Sequence, residues 1–327
     1  MKKNYCFAIL AIVAALFALT AQAMAYQIGG NVNNPGEYTT AGSLWVVLEG
    51  PDAFGANSAY PYQYDCYPGT TLPCITLPQP PYDENNINHN TVDSNYVLVT
   101  GRDGSRALFA VGELNPKFAP AGYAATITCD KRGWCDLVGE GRVVRNVSEI
   151  DVFQAVPSIH LNGSTFPFTH FYSPLIIVSG AGITPKSFGL AELQAMDQVT
   201  LNASSSTTNT VGIWKGPTLR SVLKASGVDD RDMDSIDSYI IVQATDGYAA
   251  VLSMYEATHM TGGQYPMLAV SGLVNSSETI NNCKCSTDKD NGLARLILPN
   301  DIAAGRWVSN VAQIIVYKLE ECKDHWR

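Results

Sequence analysis

The stretch SNYVLVTGRDG at residues 94–104 recurs later in the chain as DSYIIVQATDG at residues 237–247. In both copies an apolar, β-branched run leads into Asp-Gly, which favours a hairpin turn because glycine accepts a positive φ. A second apolar run at residues 250–252 completes the predicted hairpin in the later copy. The repeated hairpin indicates that the chain contains an internal duplication.

Further matching blocks flank the two hairpins in the same order. Residues 218–225 place Leu219, Val222 and Leu223 at helical spacing, which predicts a short amphipathic helix, and residues 188–196 predict a second one. Residues 311–317 predict a closing strand. Each repeat is therefore expected to be a mainly β unit with two small helices. The paired blocks are Gly30, Val32, Pro35 and Tyr38 with Gly180, Gly182, Pro185 and Phe188; residues 43–48 with 218–223; Glu113 with Glu256; and Gly141-Arg142 and Asn146-Val147 with Gly305-Arg306 and Asn310-Val311.

The N-terminus predicts a signal peptide over residues 1–25. Lys2 and Lys3 precede an apolar run that closes on small residues up to Ala25. No later stretch has the roughly 18 apolar residues that a membrane span needs. We expect an extracytoplasmic protein, periplasmic or secreted, with a first domain at 26–157, a connector at 158–172 and a second domain at 173–327. The first domain carries a Pro-, Tyr- and Asn-rich insertion at 51–93.

Composition narrows the classes of partner. Hydrophobic residues make up 46% of the chain, which is enough for packed cores. The formal net charge is −9, and lysines and arginines are not clustered. Binding to a nucleic-acid backbone depends on clustered cations, so nucleic acid is not an expected partner.

The cysteines outside the leader are expected to form disulfides in an oxidising compartment. Local pairs Cys66–Cys74 and Cys129–Cys135 are the simplest, and Cys322 is free to pair with Cys283 or Cys285. A metal site is the alternative, although the spacings differ from those of zinc ribbons.

The order of motifs in the second repeat resembles the sulfite-oxidase-type molybdopterin-binding oxidoreductase domain, over residues 173–318. The first repeat resembles it more faintly, and residues 32–38 also resemble the opening of ligand-binding β-grasp domains. The resemblance implies an α+β, mainly β protein with two tandem sulfite-oxidase-like molybdopterin-binding-fold domains. The motifs are IIVSG (176–180), FGLAEL (188–193), WKGPTL (214–219), DGY (246–248), PMLAV (266–270), RLILP (295–299) and GRWV (305–308).

The sequence departs from this family where the metal ligand is expected. Members bind molybdenum through a cysteine thiolate after the first helix and strand, but residues 199–204 read VTLNAS, and no cysteine occurs from 136 to 282. Neither Asn202 nor the neighbouring serines replace a soft thiolate. Cations for the pterin phosphate are scattered, and Arg306 with its counterpart Arg142 either holds a phosphate or forms a structural salt bridge. The five histidines are isolated, so no catalytic residue is assigned.

These observations predict a non-catalytic binding or assembly module. Its ligand cleft would include Asn202, Trp214, Tyr248, Arg295 and Arg306, with a small anion or a protein as partner. No metal and no cofactor are expected, with molybdopterin as the open possibility. An active molybdopterin-dependent oxidoreductase, with Cys283 or Cys285 as a rewired ligand, is the alternative, and a structural surface subunit is a third hypothesis.

Overall fold

The computed structural model describes residues 26–30, 36–39, 41–48, 95–116, 118, 125–155, 174–205, 210–233, 237–244, 248–260, 263–274, 277–278 and 292–319. The predicted signal peptide, the insertion at 51–93, the connector at 158–172 and the turn at Asp246-Gly247 lie outside these residues. So do Cys66, Cys74, Cys283, Cys285 and Cys322.

The described residues before the connector form a mainly β unit, here called the first unit. Its helices are α1 (Leu44–Leu48) and α2 (Val111–Leu114). Its strands are β1 (Tyr26–Gly30), β2 (Gly36–Tyr38), β3 (Gly42–Ser43), β4 (Asn95–Gly101), β5 (Arg106–Ala110), β6 (Thr126–Cys129), β7 (Cys135–Gly139), β8 (Arg142–Val144) and β9 (Val147–Gln154).

The described residues after the connector form the second unit, which is also mainly β. Its helices are α3 (Leu190–Ala195), α4 (Leu219–Ala225), α5 (Asp230–Met233) and α6 (Met254–Thr258), with a 3₁₀ turn at Ala304–Arg306. Its strands are β10 (Ile176–Gly180), β11 (Ile183–Phe188), β12 (Gln198–Ser205), β13 (Thr210–Pro217), β14 (Ser238–Ala244), β15 (Ala249–Ser253), β16 (Met267–Ala269), β17 (Ser271–Val274), β18 (Ser277–Glu278), β19 (Arg295–Ile297) and β20 (Val311–Lys318).

The two units contain the same five-stranded sheet. The strand order is β2-β1-β9-β4-β5 in the first unit and β11-β10-β20-β14-β15 in the second. Strand β1 pairs in parallel with β9 in the first sheet, and β10 pairs in parallel with β20 in the second. The other neighbouring strands in both sheets are antiparallel. The fold class is α+β and mainly β, as the sequence predicts, and the matching strand orders agree with the duplication.

A matched pair of asparagines shows how closely the copies agree. Asn146 and Asn310, which precede the closing strands, both adopt a left-handed backbone with φ of 50° and 54°. Asparagine tolerates this conformation better than most residues. The closing strands also share a register shift against β4 and β14, respectively. The repeated Asn-Val blocks therefore encode the same turn into the same strand.

The predicted helices of the second unit are present. In α4 the buried residues are Leu219, Val222 and Leu223, and the Ser221 amide donates to the Thr218 hydroxyl at the N-cap over 3.1 Å. Helix α3 begins at Leu190, two residues after the predicted start, because residue 188 still belongs to β11. The amphipathic spacing thus located both helices. The predicted range of α3 began too early, because it included the last residue of β11.

The secondary sheets of the two units differ. The first unit has the order β3-β6-β7-β8, and the second has β12-β13-β17-β18 with a separate β16-β19 pair. A disulfide joins Cys129 and Cys135, which lie opposite each other on β6 and β7, so this predicted pair is confirmed. Among the described residues, no helix has the length and apolar character needed to cross a membrane.

Candidate functional site

The structure separates the predicted cleft residues into distinct surroundings. Arg306 is 2% exposed and lies in a buried network of charges. Its Nε and Nη2 donate to the two carboxylate oxygens of Asp301 over 3.0 and 2.5 Å, and its Nη1 donates to Glu256 over 2.7 Å. Three charge-assisted bonds therefore hold this guanidinium. Of the two roles expected for Arg306, phosphate binding or a structural salt bridge, these contacts correspond to the salt bridge.

Arg295 lies with two tryptophans in the second unit. Its guanidinium carbon is 5.6 Å from the Trp214 ring centre and 5.7 Å from that of Trp307, within the range of cation–π attraction. The two indoles meet edge to face, with centroids 6.0 Å apart. Burial lowers the pKa of Arg295 to about 10, so the side chain stays protonated at neutral pH. These three residues are called the Arg295 cluster.

Trp214 is the most enclosed member of the Arg295 cluster. It is fully buried, and its Nε1 has no hydrogen-bond partner among the described residues. Its ring packs against the backbones of Gly212 and Gly272, where a Cβ would come within 2.6 and 2.7 Å of the indole. By contrast, the Trp307 Nε1 donates to the Leu298 carbonyl over 3.0 Å. Trp214 is therefore a core residue with an unused donor.

Tyr248 and Asn202 complete the predicted set. The Tyr248 hydroxyl donates to the Gly305 carbonyl, next to Arg306 in sequence, and its ring packs against the core that contains Trp214 and Trp307. Asn202 lies on β12, at the edge of its sheet, with an exposed side chain opposite Ile213. The structure therefore brings Trp214, Tyr248 and Arg295 together, places Arg306 in a separate network, and leaves Asn202 at a sheet edge.

The network around Arg306 lies between the two units and contains a matching half from the first unit. Arg142 is 3% exposed, and its Nη1 and Nη2 donate to the two carboxylate oxygens of Glu113 over 3.1 and 2.7 Å. Arg142 also donates to the Ser253 hydroxyl of the other unit over 3.2 Å. These contacts define an ionic cluster, which consists of Glu113, Arg142, Ser253, Glu256, Asp301 and Arg306.

Reciprocal packing surrounds the ionic cluster. Arg306 crosses to the first unit, where a Cβ on Gly112 of α2 would collide with its side chain. Arg142 lies under the Tyr255 ring of α6, at 4.9 Å from the ring centre. The Phe118 carbonyl of the first unit accepts a bond of 2.8 Å from the Ile302 amide. Each unit therefore uses one arginine to contact the helix of its partner unit.

A stack of four aromatic rings continues the interface beside the ionic cluster. Tyr96 and Tyr239 meet across the two units with centroids 4.6 Å apart. Phe153 stacks on the first tyrosine at 5.3 Å, and Tyr317 stacks on the second at 5.0 Å. All four residues occupy equivalent places in the two sheets, since Tyr96 pairs with Phe153 and Tyr239 with Tyr317. The interface is therefore approximately two-fold symmetric.

The symmetry fails at one charge. Two guanidinium groups face three carboxyl groups in the ionic cluster, because Asp301 is an addition in the second unit. Both Glu113 oxygens accept hydrogen bonds, whereas the buried Glu256 Oε2 has no partner among the described residues. Burial raises the pKa of Glu256 to about 8, with further contributions from Glu113 and Asp301 against the opposing effect of Arg306. Burial also raises the pKa of Asp301.

Sequence reasoning found Glu113 and Glu256 only as matching positions and gave them no role. A stronger signal was present in each duplicated strand, where YVLV (96–99) and YIIV (239–242) are apolar at successive positions rather than alternating. A continuous apolar run indicates a strand that is buried on both faces. One apolar face of each of these strands was therefore available for an interface. Glu113 and Glu256 follow one strand later in the chain.

Comparisons with known proteins give a distant structural likeness and no match of sequence families. No protein-family model matches the chain, and no curated protein matches it. Among solved structures, the chain is similar to the sulfane dehydrogenase SoxCD from Paracoccus pantotrophus, with 16% sequence identity and a TM-score of 0.33. The match covers 44% of this chain and 38% of that chain.

Proposed function

We propose that the chain is an exported, non-catalytic binding or assembly module built from two tandem units of the molybdopterin-oxidoreductase type. The placement of Arg306 is the observation that carries this proposal. The sequence left open whether this arginine holds a pterin phosphate or forms a structural salt bridge, and its side chain is bonded to Asp301 and Glu256 between the units. A phosphate would have to displace two buried carboxylates to reach it, which would leave them unpaired.

The described residues do not fit a molybdopterin centre. Asn202, in the stretch where the family places its thiolate, offers a hard amide oxygen, and its side chain is exposed on an edge strand. Molybdenum in such enzymes takes a soft thiolate ligand. Arg142, the counterpart of Arg306, is also committed, to Glu113. The residues in these positions serve the interface and the surface of the sheet.

A small anion is the ligand class that the Arg295 cluster supports. Arg295 keeps its proton at neutral pH, and a guanidinium is a good donor to planar and tetrahedral oxyanions. The indole faces of Trp214 and Trp307 hold it in place. Tyr248, at the border of this cluster, fixes the adjacent Gly305 carbonyl. A protein partner that presents a carboxylate would use the same chemistry.

Elemental analysis separates the module from the enzyme. Protein purified from its native compartment would be assayed for molybdenum and tungsten by mass spectrometry, and we expect far less than one atom per chain. Stoichiometric metal would overturn the proposal, as would an oxidase activity that is lost on Cys283→Ser or Cys285→Ser. Either result would restore the oxidoreductase alternative.

A binding titration tests the ligand class. Inorganic phosphate and sulfate would be titrated into the full chain by calorimetry, and Arg295→Met should weaken any binding at least tenfold. Arg132→Met, which removes an exposed arginine of the first unit, is the matched control and should leave binding unchanged. Equal effects of the two substitutions would reject the Arg295 cluster as the anion site.

A further inference from the structure

The buried ionic cluster between the units has an excess of acid. Two guanidinium groups face three carboxyl groups, and the side chains of the five residues are 9% exposed or less. If all five were ionised, one uncompensated negative charge would be buried. An unpaired buried charge is unfavourable by several kcal/mol, and carboxyl groups in such places take up a proton instead.

The hydrogen bonds identify which carboxyl group carries the proton. Both oxygens of Glu113 accept bonds from Arg142, and both oxygens of Asp301 accept bonds from Arg306. Glu256 receives a single arginine bond, to Oε1, while Oε2 is buried with no partner among the described residues. The least compensated oxygen in the ionic cluster therefore belongs to Glu256.

We propose that Glu256 is a neutral carboxylic acid in the folded protein at neutral pH, and that the docking of the two units depends on this proton. Its position makes the proton specific to the docked state. Glu256 lies on α6, which contacts the first unit through Tyr255, and its partner Arg306 packs against Gly112 of α2. Separation of the units would admit water to the carboxyl group and release the proton.

Charged and titratable groups surround Glu256 on the elements that pack against it. Arg306 of the 3₁₀ turn donates to it, and Asp301 and Glu113 act on it as like charges. On its own helix, Tyr255 and His259 stack on each other with centroids 4.0 Å apart. Ser253 caps the helix by accepting from the Glu256 amide, and its hydroxyl also accepts from Arg142. Two like charges, Glu113 and Asp301, and two guanidinium groups thus share the cluster with the acid, but only Arg306 donates to it, because Arg142 is engaged by Glu113.

The expected pH dependence follows from the sign of the shift. Burial raises the pKa of Glu256 from 4.5 to about 8, so the folded state binds one more proton than the unfolded state between these values. Stability contributed by this group is fully present below about pH 4.5 and is lost as the pH rises to about 8. For one proton, the unfolding equilibrium constant increases by up to about tenfold per pH unit in this window.

Urea denaturation of the full chain from pH 5 to pH 9 tests the proposal. Glu256→Gln reproduces the neutral acid and does not titrate. The ratio of its folding equilibrium constant to that of the natural chain should therefore increase by up to about tenfold per pH unit towards pH 8. Glu192→Gln, which removes an exposed carboxylate of α3, is the matched control, and its stability should keep the same pH dependence as that of the natural chain. Parallel curves for Glu256→Gln and the natural chain would overturn the proposal.

Two further measurements test the proposal if Glu256→Gln does not fold. Asp301→Asn removes one of the like charges, so the pKa of Glu256 should fall and the pH dependence assigned to it should weaken. Infrared spectroscopy of the natural chain should show a protonated-carboxyl band at pH 7 that is lost near pH 8. A steeper pH slope in Asp301→Asn, or the absence of such a band at pH 7, would overturn the proposal.

Discussion

Replacement of Arg306 by methionine is the sharpest test of its structural role. Methionine keeps most of the apolar stem that packs against Gly112 but removes the three bonds to Asp301 and Glu256. Both carboxyl groups are buried, each with 5% of its surface exposed. Removing one partner of a buried ion pair destabilises a protein by about 3–5 kcal/mol, so we expect a loss of this size at pH 7.

The measurement is the free energy of unfolding from urea titration, extrapolated linearly to water. Arg145→Met is the matched control, because Arg145 is 71% exposed and lies 3.5 Å from Asp136, with an expected loss below about 1 kcal/mol. Arg306→Lys should fall between the two, since lysine restores the charge without the forked donor geometry. A loss in Arg306→Met no greater than that of the control would refute the structural role and make the side chain available to a ligand.

Three other predictions concern local features of the fold. Replacing Cys129 and Cys135 together by serine should cost about 2 kcal/mol of stability, measured by thermal unfolding with and without reductant, and the reductant should destabilise the natural chain more than the variant. Burial raises the pKa of Asp151 from 3.8 to about 6, so stability should fall as the pH rises through this window, and Asp151→Asn should flatten that part of the pH profile. Thr218→Ala removes the N-cap of α4 and should cost about 1 kcal/mol in a urea titration; no measurable loss would show that the cap is redundant.

The local elements were largely predictable because their signals are short in range. The spacing of Leu219, Val222 and Leu223 located α4, and these are its buried residues. The repeated apolar runs located the central hairpins, whose strands pair as β4 with β5 and β14 with β15. Hydrophobic periodicity and turn chemistry act within a few residues, so a single sequence is enough to read them.

The candidate site was only partly predictable. Trp214, Tyr248 and Arg295 were grouped by motif order, and the structure places them near one another. Arg306 was grouped with them on the same grounds, but its side chain points into the ionic cluster. Motif order specifies where the backbone goes within one unit, whereas the direction of a long side chain depends on the carboxylates that surround it.

The sequence by itself predicted two copies of one mainly β unit, because matching blocks recur in the same order. Only the tertiary structure decided how the copies meet. The strand runs YVLV and YIIV show that both faces are apolar, yet they do not say that Tyr96 stacks on Tyr239. The same holds for Arg142 and Ser253, which belong to different units and bond across the interface. Such contacts are fixed by burial of apolar faces and compensation of buried charge over the whole chain, and neither leaves a local pattern in the sequence.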